Sequence, residues 1–255
     1  MSDYRVIVST CDKYIDHMRP FIHQFMKYWG NGQQVLVAGF TSPEFSMPKN
    51  FRFHSIGKMR DYPLNKWSDS IIDLLNYVVD DVFVFMLEDY WITDHVDKEG
   101  VQLLVDYARS NPDIVRIDLT IDRYNTMKFH PEFAGKYDYE GGKLGHLDLV
   151  NSKNGAPYSL SVIASIFNKY NFLKVLEKGW DPWEVEMKGS YNVSLKGSMR
   201  VIGTEGSVVP HCVGIRTHPE DKSGGKLWRE CGFFKPEDRE RMQELGILGE
   251  TGYFE

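Results

Sequence analysis

The chain is short of cysteine, of long apolar runs, of glycine-rich phosphate loops and of positive charge, and each shortage narrows what it can be. Cysteine occurs three times in 255 residues, as Cys11, Cys212 and Cys231. The count is odd and no CxxC pair occurs, which argues against a disulfide framework or a zinc knuckle and fits a reducing compartment. No apolar run approaches the roughly 20 residues of a membrane span. The opening MSDYRVIVST has no basic stretch leading into an apolar one, so no signal peptide is expected, and the expected location is cytoplasmic. No GxxxxGK[ST] occurs, which excludes a P-loop enzyme, and no GxGxxG, which argues against a dinucleotide dehydrogenase. Lys and Arg number 30 against 36 Asp and Glu, a net charge of −6, so a broad nucleic-acid footprint is not expected.

What the chain has is core material: 42% hydrophobic and 14% aromatic residues over a length that suits one large α/β domain. YRVIVST (4–10) reads as a first strand. Ile15, Met18, Phe21, Ile22, Phe25 and Met26 then recur at helical spacing up to GNGQ, and QVLVAGF (34–40) reads as a second strand. This β-α-β opening predicts a mostly parallel sheet flanked by helices, a Rossmann-like α/β fold. FRFHSIG is a further strand, KWSDSIIDLLNYVVDD (66–81) an amphipathic helix with Val78 and Val79 on its apolar stripe, FVFML (83–87) a buried strand, KEGVQLLVDYARSN a helix and DIVRIDLT a strand. Residues 123–159 read as irregular. SLSVIASIFN reads as a buried strand, KYNFLKVLEKG as a helix closed by Gly179, and DPWEVEMKGSYNVSLKG as a helix start or tight loop. MRVIGTEGSVVPHCVG reads as a terminal hairpin, and 236–245 as a helix opened by Pro236. The expected layout is one domain over 1–218 and a tail over 219–255 that serves as a lid or a packing helix.

The strand FVFML runs straight into Glu88 and Asp89, followed by Tyr90 and Trp91. An unpaired buried carboxylate is costly. Such acids either face solvent at the sheet edge or hold a cation, and ligands of open α/β sheets bind beyond the carboxyl ends of the strands. Mg²⁺ or Mn²⁺ would take carboxylate oxygens together with substrate phosphates. Trp67, Ser68 and Asp69 open the next helix back, where free N–H groups favour a phosphate. Asp118, Asp122 and Arg123 stand at another strand end, a place for an acceptor. Lys222 and Lys226 lie in KSGGKLW, a basic loop able to close over a pyrophosphate.

Taken together, STCDKY after the first strand, WSDSI at a helix start and LEDYWI at a strand end resemble the A-type (GT-A fold) nucleotide-sugar glycosyltransferases. The match is to a bacterial and viral subset with a variant of the family's Asp-x-Asp motif. WDPWEVEMKGS (180–190) and VVPHCVGIRTH extend the resemblance in the same order along the chain. It implies a donor half to about 120 and an acceptor half beyond. It also implies a nucleotide-sugar donor, most often a uridine one, and a divalent metal, Mn²⁺ or Mg²⁺, at the acidic strand end. Asp89 is then the direct metal ligand, Glu88 its support or a ribose contact, and His211 a histidine brought to the same metal. Thr10 and Asp12 would touch base or ribose, Trp67, Ser68, Asp69 and Lys226 the rest of the donor. Glu184 or Glu186 would deprotonate the acceptor hydroxyl, a weak nucleophile without a positioned base. Trp183 would join Asp118, Asp122 and Arg123 on the acceptor side. The acceptor hydroxyl belongs to a glycan, a small molecule, a protein or a modified nucleic-acid base. A sugar-phosphate nucleotidyltransferase would need glycine in the turn STCDKYIDH, which has none. The rival from another class is a non-catalytic carbohydrate- or nucleotide-binding module with aromatic stacking platforms.

Overall fold

The computed structural model describes residues 3–123, 137–138, 141–153, 156–213 and 235–247. Its strands are β1 (Val6–Ser9), β2 (Val35–Gly39), β3 (Phe51–Ser55), β4 (Val82–Leu87), β5 (Tyr90–Ile92), β6 (Ile114–Asp118), β7 (Tyr137–Asp138), β8 (Lys143–Leu144), β9 (Leu147–Ser152), β10 (Ser165–Asn168), β11 (Arg200–Thr204) and β12 (His211–Val213). The α-helices are α1 (Met18–Tyr28), α2 (Trp67–Tyr77), α3 (Lys98–Ser110), α4 (Lys169–Val175), α5 (Pro182–Lys196) and α6 (Pro236–Glu244).

The main sheet has the order β3-β2-β1-β4-β10-β6-β11-β9-β7, with β8 paired to β9 off that path. The pairs β1–β2, β1–β4, β2–β3 and β6–β11 are parallel. β10 is antiparallel to both β4 and β6, so from β3 to β11 it alone runs against the other strands. Period-2 alternation sorts the core into two layers. Val6, Val8, Val37, Val84 and Met86 meet α1 and α3 on one face. Ile7, Leu36, Phe83 and Phe85 meet α2, α4 and α5 on the other. This is an α/β fold, a mostly codirectional sheet between two helix layers. No helix among the described residues is long and apolar enough to cross a membrane.

Several elements differ from the sequence reading. The terminal hairpin does not form: β11 pairs with β6 and β9, whereas β12 pairs with β5 in a separate two-stranded sheet. SLSVIASIFN yields only the four residues of β10, reversed in the sheet. α2 stops at Tyr77, because Val78 turns extended, and Val79 is left 78% exposed. α4 ends at Val175, ahead of Gly179. The region read as irregular contains β7, β8 and β9. DPWEVEMKGS launches a full helix, α5, closed by Gly197 in the left-handed conformation. Proline does open α6, as expected. That helix docks on α1: Met242 is fully buried, and Asp238 accepts from the Tyr28 hydroxyl and pairs with Lys27.

Candidate active site

β1 has β2 on one side and β4 on the other, so the direction of strand progression reverses there. A crevice opens at the carboxyl ends of strands at such a point. The residues that follow β1 are Thr10, Cys11 and Asp12, and those that follow β4 are Glu88 and Asp89. The two acids occupy a two-residue turn between β4 and β5. Glu88 is buried and its carbonyl accepts from the Trp91 indole N–H at 2.9 Å. Burial raises the Glu88 carboxyl well above the usual range, and the charge of Asp89 raises it further. Burial likewise lifts Asp89 to about 7. Asp89 Oδ1 and Thr10 Oγ1 are buried, and neither has a hydrogen-bond partner among the described residues. The Cys11 thiol is pushed up to about 11, by burial first and then by the nearby Glu88. Glu88 therefore lies near the end of β1.

The chain after β11 returns across this edge. Val208 and Val209 donate to the Leu119 carbonyl, Thr93 donates to Pro210, and β12 then pairs with β5. That path sets His211 against Tyr90, with ring centroids 5.2 Å apart. Burial holds the imidazole below its ordinary value, against the pull of Asp122 and Asp118, so it is neutral at neutral pH.

Glu186 reaches the same edge from α5. Its Oε1 accepts from the Ser161 hydroxyl at 2.6 Å and from the Val162 N–H at 3.0 Å. Burial raises its pKa; these two bonds and Arg116 act against that, and Asp122 adds to it. The close seating of α5 on residues 160–162 depends on Gly189, where a Cβ would lie 2.4 Å from Leu160 Cδ2, and on Ser190 Oγ, which accepts from the Leu160 N–H. Glu184 does something else. It closes a capping box with Asp181 and pairs with Lys188 at 2.6 Å. The Lys188 bond and the Asp181 N–H hold its carboxyl below the usual range.

The other expected site residues divide between two settings. Asp12 accepts from the Thr41 N–H and hydroxyl, stapling the ends of β1 and β2. The Ser68 N–H donates to the Trp180 carbonyl, and Ser68 Oγ accepts from the Trp180 N–H. Asp69 accepts from the Gly179 N–H, so the start of α2 grips the loop before α5. Trp67 is half-buried at that start. Asp118 and Arg123 turn inward instead of lining an acceptor surface. Asp118 lies 3.4 Å from both Arg116 and Arg123, and Arg123 donates to the carbonyls of Thr120 and Thr204. Asp122 stays at the crevice edge, close enough to act on both His211 and Glu186. Trp183 is exposed on α5. Lys222 and Lys226 lie outside the described residues. Ser161 and Tyr90 touch two of these candidates, Glu186 and His211, and are not among the candidate site residues of the sequence reading. The Ser161 bond spans 25 residues and leaves no local mark, whereas Tyr90 stood in plain view beside the acids.

Among the described residues, no group of three or more His, Cys, Asp and Glu side chains is placed to hold a metal ion. At LEDYW stand two carboxylates, of which Asp89 Oδ1 has no hydrogen-bond partner among the described residues. That suits a hard cation whose remaining coordination comes from water and phosphate oxygens.

No protein-family model matches the chain, and no curated protein matches it. Solved structures do resemble it. The galactosyltransferase LgtC in complex with donor and acceptor sugar analogs is 12% identical, with a TM-score of 0.40 over 77% of this chain and 70% of that one. The UTP-bound UGPase from Acinetobacter baumannii is 9% identical, with a TM-score of 0.45 over 79% and 85%. A mycobacterial protein is 12% identical, with a TM-score of 0.44 over 85% and 69%.

Proposed function

We propose that the chain is a glycosyltransferase, moving a sugar from a nucleotide-diphosphate sugar to an acceptor hydroxyl. The observation that carries this reading is the pair of acids at the carboxyl ends of β1 and β4, Glu88 buried and Asp89 half-buried with its Oδ1 fully enclosed. Nothing of opposite charge from this chain contacts them among the described residues, and Asp89 Oδ1 has no partner. Folding two carboxylates into such a place is costly unless a ligand offsets it. Asp89, supported by Glu88, would hold Mn²⁺ or Mg²⁺, and the bound ion would neutralise charge on the donor diphosphate. His211 enters the proposal through its place against Tyr90, the residue after Asp89.

Glu186 is the base in this reading, and Glu184 is not. One oxygen of Glu186 is held by Ser161 and Val162, which leaves the other to accept the proton of the acceptor hydroxyl. Thr10, whose hydroxyl oxygen is unpartnered, serves the nucleoside side. A uridine diphosphate sugar is the donor proposed.

The experiment is a thermal-shift panel of nucleoside diphosphates, with and without Mn²⁺, on the wild type and on Asp89→Ala. A ligand bound only by the folded state raises Tm, by about 2.7 kcal/mol of stability at a hundredfold excess over Kd. The expected result is a shift for uridine diphosphate that needs the metal and is lost in Asp89→Ala. A metal-independent shift retained by the variant would favour a nucleotide-binding module without turnover. No shift with any nucleotide would end the donor-site reading.

A further inference from the structure

Helix α5 has a second apolar face that the described residues leave exposed. Its inward face, Val185, Gly189, Ser190 and Val193, is buried against the sheet layer. On the other side stand Trp183, Met187, Tyr191 and Leu195, which are 56%, 41%, 62% and 65% exposed. A surface helix normally turns polar residues outward. Here four large apolar side chains follow one another at strict four-residue steps. They form one continuous ridge along all four turns of the helix. An apolar patch of that extent marks an interaction surface.

We propose that this ridge is where two copies of the chain pair, antiparallel, through α5. The first ground is geometric. A ridge built on i, i+4, i+8 and i+12 interlocks with a matching ridge when two helices cross at about −50°. A two-fold axis between Met187 and Tyr191 makes the ridge self-complementary. It sets Trp183 against Leu195 of the second copy, and Met187 against Tyr191 of the second copy. The second ground is charge. The N-terminal end carries the N-cap Asp181 and Glu184, the latter already paired with Lys188, and the last turn carries Lys196. Antiparallel pairing brings each Lys196 to the other copy's acidic end and opposes the two helix dipoles. The same acids, on a chain of net charge −6, disfavour an anionic membrane as the occupant. The third ground is composition, since Trp, Tyr and Met are the residue types enriched in interface cores.

Large side chains bury 150–250 Å² each when fully covered, so the exposed parts of these four offer roughly 400–500 Å² per copy. The total of roughly 800–1,000 Å² falls below the range of stable specific pairs and within that of weak, transient ones. The dimer is accordingly weak and depends on concentration. This inference does not rest on the proposed sugar transfer.

The test is sedimentation velocity of the full chain over a concentration series, for the wild type, Tyr191→Asp and Leu195→Ser, with circular dichroism and melting to confirm that each variant folds. The wild type should show a reversible monomer–dimer equilibrium. Each variant should weaken it by about tenfold or more, with the melting temperature little changed. Lys196→Glu should weaken it less, and more so at low salt than at high. A wild type that is monomeric at every concentration overturns the proposal, as does a dimer that both ridge variants leave intact. Phosphatidylserine vesicles that capture monomeric wild type, but not Tyr191→Asp, overturn it in favour of a membrane face.

Discussion

Glu184 and Glu186 are separated by one residue on α5, yet a helix turns by about 100° per residue and hands them to different surroundings. Glu184 is spent on the cap and on Lys188, while Glu186 is drawn to Ser161 and Val162. Replacing Glu186 with Gln should therefore lower kcat by about 10² to 10⁴, the usual worth of a positioned base, while Glu184→Gln leaves kcat within a few-fold. Transfer kinetics on the two variants would decide it, and equal losses would sink the assignment. The sequence held half of this distinction. Asp181-Pro182-Trp183-Glu184 has the spacing of a capping box with proline at the first helical position, a local signal that commits Glu184 to the helix start. The other half was illegible, because Ser161 meets Glu186 only through tertiary packing. Asp118 and Arg123 show the opposite failure. Charged residues at a strand end read as ligand-facing, but their partners Arg116 and the Thr204 carbonyl come from the same strand and from a distant one.

At the level of elements, the contact of the α2 start with residues 179–180 fixes where α5 begins, and so where Glu186 arrives. Ser68 is fully buried and its hydroxyl is the acceptor for the Trp180 N–H. Ser68→Ala strands that N–H and should cost about 1–3 kcal/mol, measurable by denaturant unfolding. Asp181→Ala removes the N-cap of α5 and should cost about 1 kcal/mol. A neutral result for both would mean that α5 is placed by its buried face alone. Periodicity made the helices legible: α1 and α3 stand where apolar spacing puts them. It could not say which strands pair. MRVIGTEGSVVPHCVG has the look of a hairpin because two apolar runs flank a glycine turn. The partners that bury those runs, β6, β9 and β5, are remote in the chain.

For the molecule as a whole, the buried acids make stability a function of pH. The folded pKa of Asp89 lies at about 7, above its ordinary value of 3.8. Folding then favours the protonated form, and the contribution is complete below the ordinary value and is lost as pH rises through about 7. Glu88, shifted the same way, adds to the trend. The ligand-free chain should lose stability, on the order of a few kcal/mol, between about pH 4 and pH 7. Asp89→Asn should flatten that slope, and a melting series across pH reads both. A wild-type slope of opposite sign would show that the acids are not buried as described. The α/β alternation behind this architecture was plain in the first 120 residues, since each apolar run and each helical stripe agreed with its neighbours. The reversed β10 was not, because four apolar residues state no direction. That strand has a further consequence for how the protein comes into being. Among the described residues, strand pairing joins β4 to β6 through Ser165–Asn168. A nascent chain that has not yet emerged past residue 168 can hold the acids of one half and Asp122 of the other only on separate pieces of sheet. The β1–β4 crevice can form early, but its far wall, with Asp122, joins the same sheet only once β10 has been made.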